Sequence, residues 1–140
     1  MNEFDLAEIN RMNKGTMMEW MGIEYLEASA GYIKAKMPVD KRNMQPFGLL
    51  HGGATIALAE TLGSFGSALL VDTGKYDVVG QQMSANHLRS AQKGFVFGEA
   101  RIIHRGKQTH VWNIDVKDEK NRLISVCRFT VMVLKRKQKS

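Results

Sequence analysis

The sequence predicts an α+β domain, with one antiparallel β-sheet wrapped around one long central helix. Two observations carry that expectation. Residues 54–71 are dominated by alanine, leucine and other apolar side chains, a run too long for one strand and rich in helix formers. From 78 to 135 the apolar residues instead alternate, in four stretches parted by short turns, and strands joined by short turns pair antiparallel. At 140 residues the chain has the size of a single domain, expected to span 1–140.

Each element follows from local chemistry. Leu6, Ile9 and Met12 fall on one side of a helix over 6–13 that ends near Gly15, and 16–21 adds a further helical turn. From Ile23 the period becomes two. Ile23 and Tyr25 form one strand, Tyr32, Ile33, Ala35 and Met37 a second, and Ser29-Ala30-Gly31 is the turn between them. Pro38 offers no ladder donor and ends the second strand. The polar stretch 40–48 contains Pro46 and Gly48 and is a loop that runs straight into His51-Gly52-Gly53. The long helix comes next, and Asp72-Thr73-Gly74 stops it. Apolar residues occupy most of its circumference, which predicts burial on nearly all sides. The four remaining strands are expected over 78–90, 95–104, 109–117 and 123–135, with turns at Gly94, Gly106 and Glu119-Lys120-Asn121.

Composition narrows the function. The apolar run over 54–71 is interrupted by Glu60, Thr61, Ser64 and Ser67, short of the roughly 20 apolar residues that cross a bilayer. The first ten residues carry Glu3, Asp5 and Glu8 and lack the layout of a signal peptide, so a cytoplasmic location is expected, with no membrane partner. The single cysteine, Cys127, excludes an intrachain disulfide and a cysteine metal site, and its alternating apolar setting marks an inert strand residue. No metal ligands are assigned. The net charge of +6 invites nucleic acid, but Lys135, Arg136, Lys137 and Lys139 supply four of those charges. A basic tip on a nearly neutral body, without interleaved aromatics, is a solvated terminus rather than a nucleic-acid surface.

The informative run is Gln45-Pro-Phe-Gly-Leu-Leu-His51-Gly52-Gly53-Ala-Thr-Ile-Ala-Leu-Ala-Glu60-Thr-Leu-Gly-Ser64. Two glycines at a helix start let a ligand approach the backbone, where amide N–H groups lack internal partners at the positive end of the helix dipole. Such a tip suits a developing oxyanion. Glu60 is the one charged residue of the long helix, and Glu60, Ser64 and Ser67 share one stripe at i, i+4, i+7. A carboxylate in apolar surroundings is costly unless partnered, so the stripe should face a cavity, a subunit interface or a strand bearing donors. A generic helical glutamate is a surface residue. Here Ala57, Leu58, Ala59 and Leu62 crowd it.

With these residues the chain resembles the acyl-CoA thioesterases of the hotdog fold, in the branch of the 4-hydroxybenzoyl-CoA and 1,4-dihydroxy-2-naphthoyl-CoA thioesterases. The likeness extends through Met83-Ser-Ala-Asn-His-Leu-Arg89 to the final strands, and glutamate rather than aspartate at 60 separates it from the phenylacetyl-CoA type. The resemblance implies hydrolysis of an acyl-coenzyme A, with no cofactor beyond the coenzyme A of the substrate itself. It implies Glu60 as nucleophile or general base and the Gly52 N–H as donor to the thioester oxygen. Gln45 and His51 would orient the thioester or leaving thiolate, and Ser64 would hold the attacking water. It further implies a homo-oligomer, a dimer or a tetramer of paired dimers, whose site joins Glu60 of one subunit to the Gly52 loop of another. An exposed sheet edge and the polar helix side independently favour a symmetric dimer.

A second group suits the phosphates and adenine of coenzyme A: His87 and Arg89 near a strand end, and the basic turn containing Arg105, Gly106 and Thr109. A solvated hairpin tip accounts equally well for any one of them. His110 alternates with core residues and is structural. Met44, Phe47, Leu50, Phe65 and Met83 are candidates for the acyl pocket, with an aromatic acyl group favoured by likeness. Two rivals remain, a hydratase or dehydratase of the same fold and a non-catalytic acyl-CoA-binding module. The first would turn crotonyl-CoA into a 3-hydroxyacyl thioester, and the second would release no thiol.

Overall fold

The computed structural model describes residues 4–137. The last part of the basic tail, 138–140, and residues 1–3 lie outside the described residues. Two short helices open the chain, α1 (Leu6–Arg11) and α2 (Met17–Trp20). Asp5 caps the first by accepting the Ala7 N–H at 3.0 Å, and Thr16 caps the second by accepting the Met18 N–H at 3.2 Å. The strands β1 (Glu24–Ser29) and β2 (Tyr32–Pro38) follow, joined at Ala30-Gly31, where Gly31 takes φ +84°.

The long helix α3 covers Gly52–Ala68. Then come β3 (Tyr76–His87), β4 (Phe95–Arg105), β5 (Thr109–Asp118) and β6 (Leu123–Lys135). All strands pair antiparallel in one six-stranded sheet, ordered β1-β2-β4-β5-β6-β3. This is the expected α+β hotdog arrangement. α3 begins two residues earlier than its composition suggested, because His51 caps it and admits both glycines to the first turn.

Both sheet edges matter. At β1 the Asn10 side chain imitates a neighbouring strand: its Nδ2 donates to the Tyr25 carbonyl at 3.0 Å and its Oδ1 accepts the Tyr25 N–H at 2.8 Å. Asn13 adds a bond from Nδ2 to the Ile23 carbonyl at 3.1 Å. These two amides tie the N-terminal helices to the sheet. At the far edge, β3 presents twelve residues with no strand beyond it among the described residues.

The core lies between α3 and the inner face of the sheet. Leu58, Ala59 and Leu62 of the helix are fully buried against Ile33, Val96, Trp112 and Phe129. Close approach depends on helical glycines. A Cβ on Gly66 would fall 2.5 Å from Trp112 Cη2, and one on Gly63 2.5 Å from Phe129 Cδ2. Cys127 is buried on β6, as its alternation indicated.

Burial of the helix on nearly all sides is corrected by the structure. The sheet covers one side of α3, while the face carrying Ile56, Ala57, Glu60, Ser64 and Phe65 opens on a cavity, and Glu60 is exposed in the single chain. The three-residue polar stripe is corrected too. Ser67 is completely buried: its Oγ accepts the Trp112 Nε1–H at 2.8 Å and lies 2.8 Å from His110 Nδ1. Ser67 and His110 share this buried hydrogen bond, the donor being set by the imidazole tautomer. Burial first, then the nearby Arg105 and His104 charges, hold the His110 pKa below its ordinary value. His110 is structural, as expected.

Candidate active site

The loop before α3 is built to present the helix tip. Asn43 is buried and donates from Nδ2 to the Pro38 carbonyl at 2.7 Å, while its own carbonyl accepts the His51 N–H at 2.8 Å. Within the loop, the Gln45 N–H donates to the Leu49 carbonyl at 2.8 Å and the Gly48 N–H to the Gln45 carbonyl at 3.0 Å. The Gln45 Oε1 accepts the Phe47 N–H. Its carbonyl end is thereby used, and the amide NH2 is left as a donor.

His51 is the N-cap of α3, with Nδ1 accepting the Gly53 N–H at 2.8 Å. That bond places the ring proton on Nε2, pointing outward as a donor. The Ala54 and Thr55 N–H groups both donate to the His51 carbonyl, at 3.0 and 3.2 Å. Among the described residues this leaves one first-turn amide without an acceptor, that of Gly52. A single free N–H at the positive end of a seventeen-residue helix can donate to an anionic oxygen.

Gly52 also packs directly on His87, whose Nε2 would lie 2.9 Å from any Cβ at position 52. The His87 ring is held by Ser125, whose Oγ is 3.1 Å from His87 Nδ1 and donates to the Asn86 carbonyl at 3.1 Å. Gln45, Gly52, His87 and Arg89 line one cleft of about 310 Å³. Glu60 and Ser64 line another, of about 590 Å³, together with Tyr25, Thr61, Phe65 and the methionines of the N-terminal segment. Glu60 also approaches the sheet edge: a Cβ on Gly80 of β3 would stand 3.7 Å from its Oε2. The two halves of the predicted site therefore line different cavities within one chain.

The residues expected to meet coenzyme A are likewise divided. His87 and Arg89 stand at the Gly52 cleft, whereas Arg105 and Gly106 line a cavity of about 530 Å³ beside the C-terminal end of α3. There the Arg105 Nη2 donates to the Leu70 carbonyl at 3.0 Å, and the Thr109 carbonyl accepts the Gly106 N–H at 2.8 Å. The acyl-pocket candidates separate as well. Phe65 lines the Glu60 cavity and Leu50 the Gly52 cleft, but Met44 and Met83 pack on the core and Phe47 is 88% exposed. Tyr25, Thr61, Met17 and Met18 were missed. The alternation that put Ile23 and Tyr25 on one face of the first expected strand was the available signal for Tyr25.

Comparison with known proteins decides the family. The profile of the thioesterase superfamily matches residues 47–125, which hold the helix tip, Glu60 and the strands β3, β4 and β5. The chain belongs to the thioesterase superfamily. It is similar to the proofreading thioesterase EntH of Klebsiella pneumoniae, at 47% identity over 94% of this chain and 96% of that protein. It is similar also to the 1,4-dihydroxy-2-naphthoyl-CoA hydrolase of Escherichia coli, at 42% identity over 92% and 94%. Among solved structures, a Gln→Ala variant of a thioesterase from Pseudomonas aeruginosa superposes with a TM-score of 0.93, at 41% identity, covering 96% of this chain and 97% of that one. This thioesterase shares with them its hotdog fold and its hydrolase class. No helix among its described residues is long and apolar enough to cross a membrane.

Proposed function

We propose that this thioesterase hydrolyses an aromatic acyl-coenzyme A to the free acid and coenzyme A at a site shared by two copies of the chain. One observation carries the proposal: the free Gly52 amide and the Glu60 carboxylate line different cavities of one chain, and Glu60 lies beside β3, the edge strand among the described residues. A second copy joined along that edge by a two-fold axis would set the Glu60 of each subunit toward the Gly52 tip of the other. Further pairing into a tetramer agrees with the resemblance. The aromatic preference is supported by the relative that hydrolyses a naphthoyl-CoA.

The thioester oxygen docks on the Gly52 N–H, with the Gln45 amide and the His51 Nε2–H as further donors for carbonyl or departing sulfur. Glu60 either attacks the carbonyl carbon, breaking the C–S bond to give a mixed anhydride that water then cleaves, or takes a proton from water, held by Ser64, that attacks directly. Both routes consume one water and end with acid and thiol. In a single turnover in labelled water, label in the Glu60 carboxylate would mark the first route. His87 and Arg89 flank the cleft where the pantetheine and phosphates approach, and Arg105, Gly106 and Thr109 are assigned to the nucleotide end, reached from a neighbouring subunit.

Thiol release tests the activity. Benzoyl-CoA is expected to exceed hexanoyl-CoA by about tenfold in kcat/KM, and crotonyl-CoA to yield thiol rather than a 3-hydroxyacyl thioester. The opposite product would establish a hydratase. The shared site has its own test. Glu60→Ala and Gln45→Ala subunits, each impaired alone, are unfolded together in equal amounts and refolded. Mixed dimers then hold one doubly defective and one intact site, so about a quarter of the wild-type rate should return. No recovery would mean that each chain carries a complete site of its own.

A further inference from the structure

We infer that the Tyr25 hydroxyl selects the acyl group, by hydrogen bonding an oxygen substituent on an aryl ring held in the Glu60 cavity. The inference rests on the acyl-CoA reading and adds to it a residue that reads the far end of the substrate.

Tyr25 is only 4% exposed, yet among the described residues its hydroxyl has no hydrogen-bond partner. Buried polar groups are otherwise satisfied here: no fully enclosed side-chain nitrogen or oxygen lacks a partner among the described residues. The Tyr25 oxygen is therefore not sealed in the core, and Tyr25 lines the cavity that holds Glu60, Ser64 and Phe65. That cavity is the open space the hydroxyl is assigned to, and its other walls include methionine, alanine, isoleucine and phenylalanine.

The hydroxyl is also held still. Asn10 clamps the Tyr25 backbone on both its N–H and its carbonyl, and the ring lies against Phe65 with centroids 4.7 Å apart and planes tilted by 34°. A fixed donor discriminates more sharply than a mobile one, because a substrate without the matching oxygen leaves it unpaired. Two adjoining aromatic faces suit a flat ring better than a flexible alkyl chain. The spacing agrees. Phe65 stands five residues beyond Glu60 on α3, about 7 Å along the helix axis, which is the scale of one substituted ring between its carbonyl carbon and its far edge. Burial pushes the Tyr25 pKa up to about 12, so the group stays a protonated donor throughout neutral pH.

The test compares benzoyl-CoA with 2-, 3- and 4-hydroxybenzoyl-CoA in the wild-type protein and in Tyr25→Phe, a substitution that removes one oxygen and keeps the ring stack. The wild type should prefer at least one hydroxylated isomer to benzoyl-CoA in kcat/KM, and Tyr25→Phe should lower that preference about tenfold. An unchanged preference, or a parallel loss on all four thioesters, would overturn the role of Tyr25 while leaving the acyl-CoA activity standing. Absence of thiol release by the wild type from all four would overturn the activity reading itself, and the selection with it.

Discussion

Glu60→Ala should fold normally and release thiol at least a thousandfold more slowly than the wild type. The two halves of this expectation have separate causes. Within the chain Glu60 is exposed and forms no ion pair or side-chain hydrogen bond among the described residues. Truncating such a residue shifts stability by about 0.5 kcal/mol or less. The rate should respond far more. On the proposed mechanism, whether Glu60 attacks or deprotonates water, its loss removes the group that makes or activates the nucleophile, and a thousandfold corresponds to about 4 kcal/mol of barrier. Glu60→Gln keeps the shape and loses the charge, and should fall as far. Turnover measured beside thermal melting separates the two halves. Near-normal thiol release from Glu60→Ala with every acyl-CoA would remove the carboxylate from the chemistry.

Gly66→Ala is the substitution with the largest expected effect on stability. In an exposed helix the change would help, since alanine is favoured over glycine by about 1 kcal/mol. Here the added methyl would lie 2.5 Å from Trp112 Cη2, 2.8 Å from Cζ2 and 3.1 Å from Ile33 Cγ1. The indole cannot retreat. It is completely buried, and its Nε1 is tied to Ser67, the residue after Gly66 on the same helix. Helix and sheet must move apart, or the Ser67 bond must break in a buried setting, and we expect a net loss of about 3 kcal/mol. For a chain of this size the melting midpoint should fall by roughly 10 °C. Urea denaturation at constant m-value measures the loss directly. A raised midpoint would show that the tight contact relaxes at no cost.

Legibility from sequence followed locality. The strands were visible because their apolar residues alternate, and the sheet needed only that alternation and short turns. The helix tip was visible because all its parts are consecutive: His51 caps, Gly53 donates to it, and Gly52 is left over. What the sequence hid was what comes to lie against each face. Helical periodicity put Ser67 beside Glu60 and Ser64, but β5, more than forty residues on, brings His110 and Trp112 over Ser67 and takes it from the stripe. The clamp of Asn10 and Asn13 on β1 uses side-chain amides that leave no periodic trace. Phe47 looked like pocket lining because it is aromatic and near the motif, yet the Gln45–Leu49 turn throws it outward. Tyr25 counted as an ordinary strand residue, since nothing in a period of two distinguishes a hydroxyl sealed in the core from one left at a cavity wall.

The solitary sulfhydryl of the protein has a practical bearing on its enzymology. Cys127 is enclosed on β6, and its enclosure, opposed only weakly by a contact with Ser125, raises its pKa and keeps it in the unreactive neutral form. A chromogenic disulfide reagent mixed with the native enzyme therefore meets no competing sulfur. Colour formed in the first turnover therefore counts released coenzyme A alone.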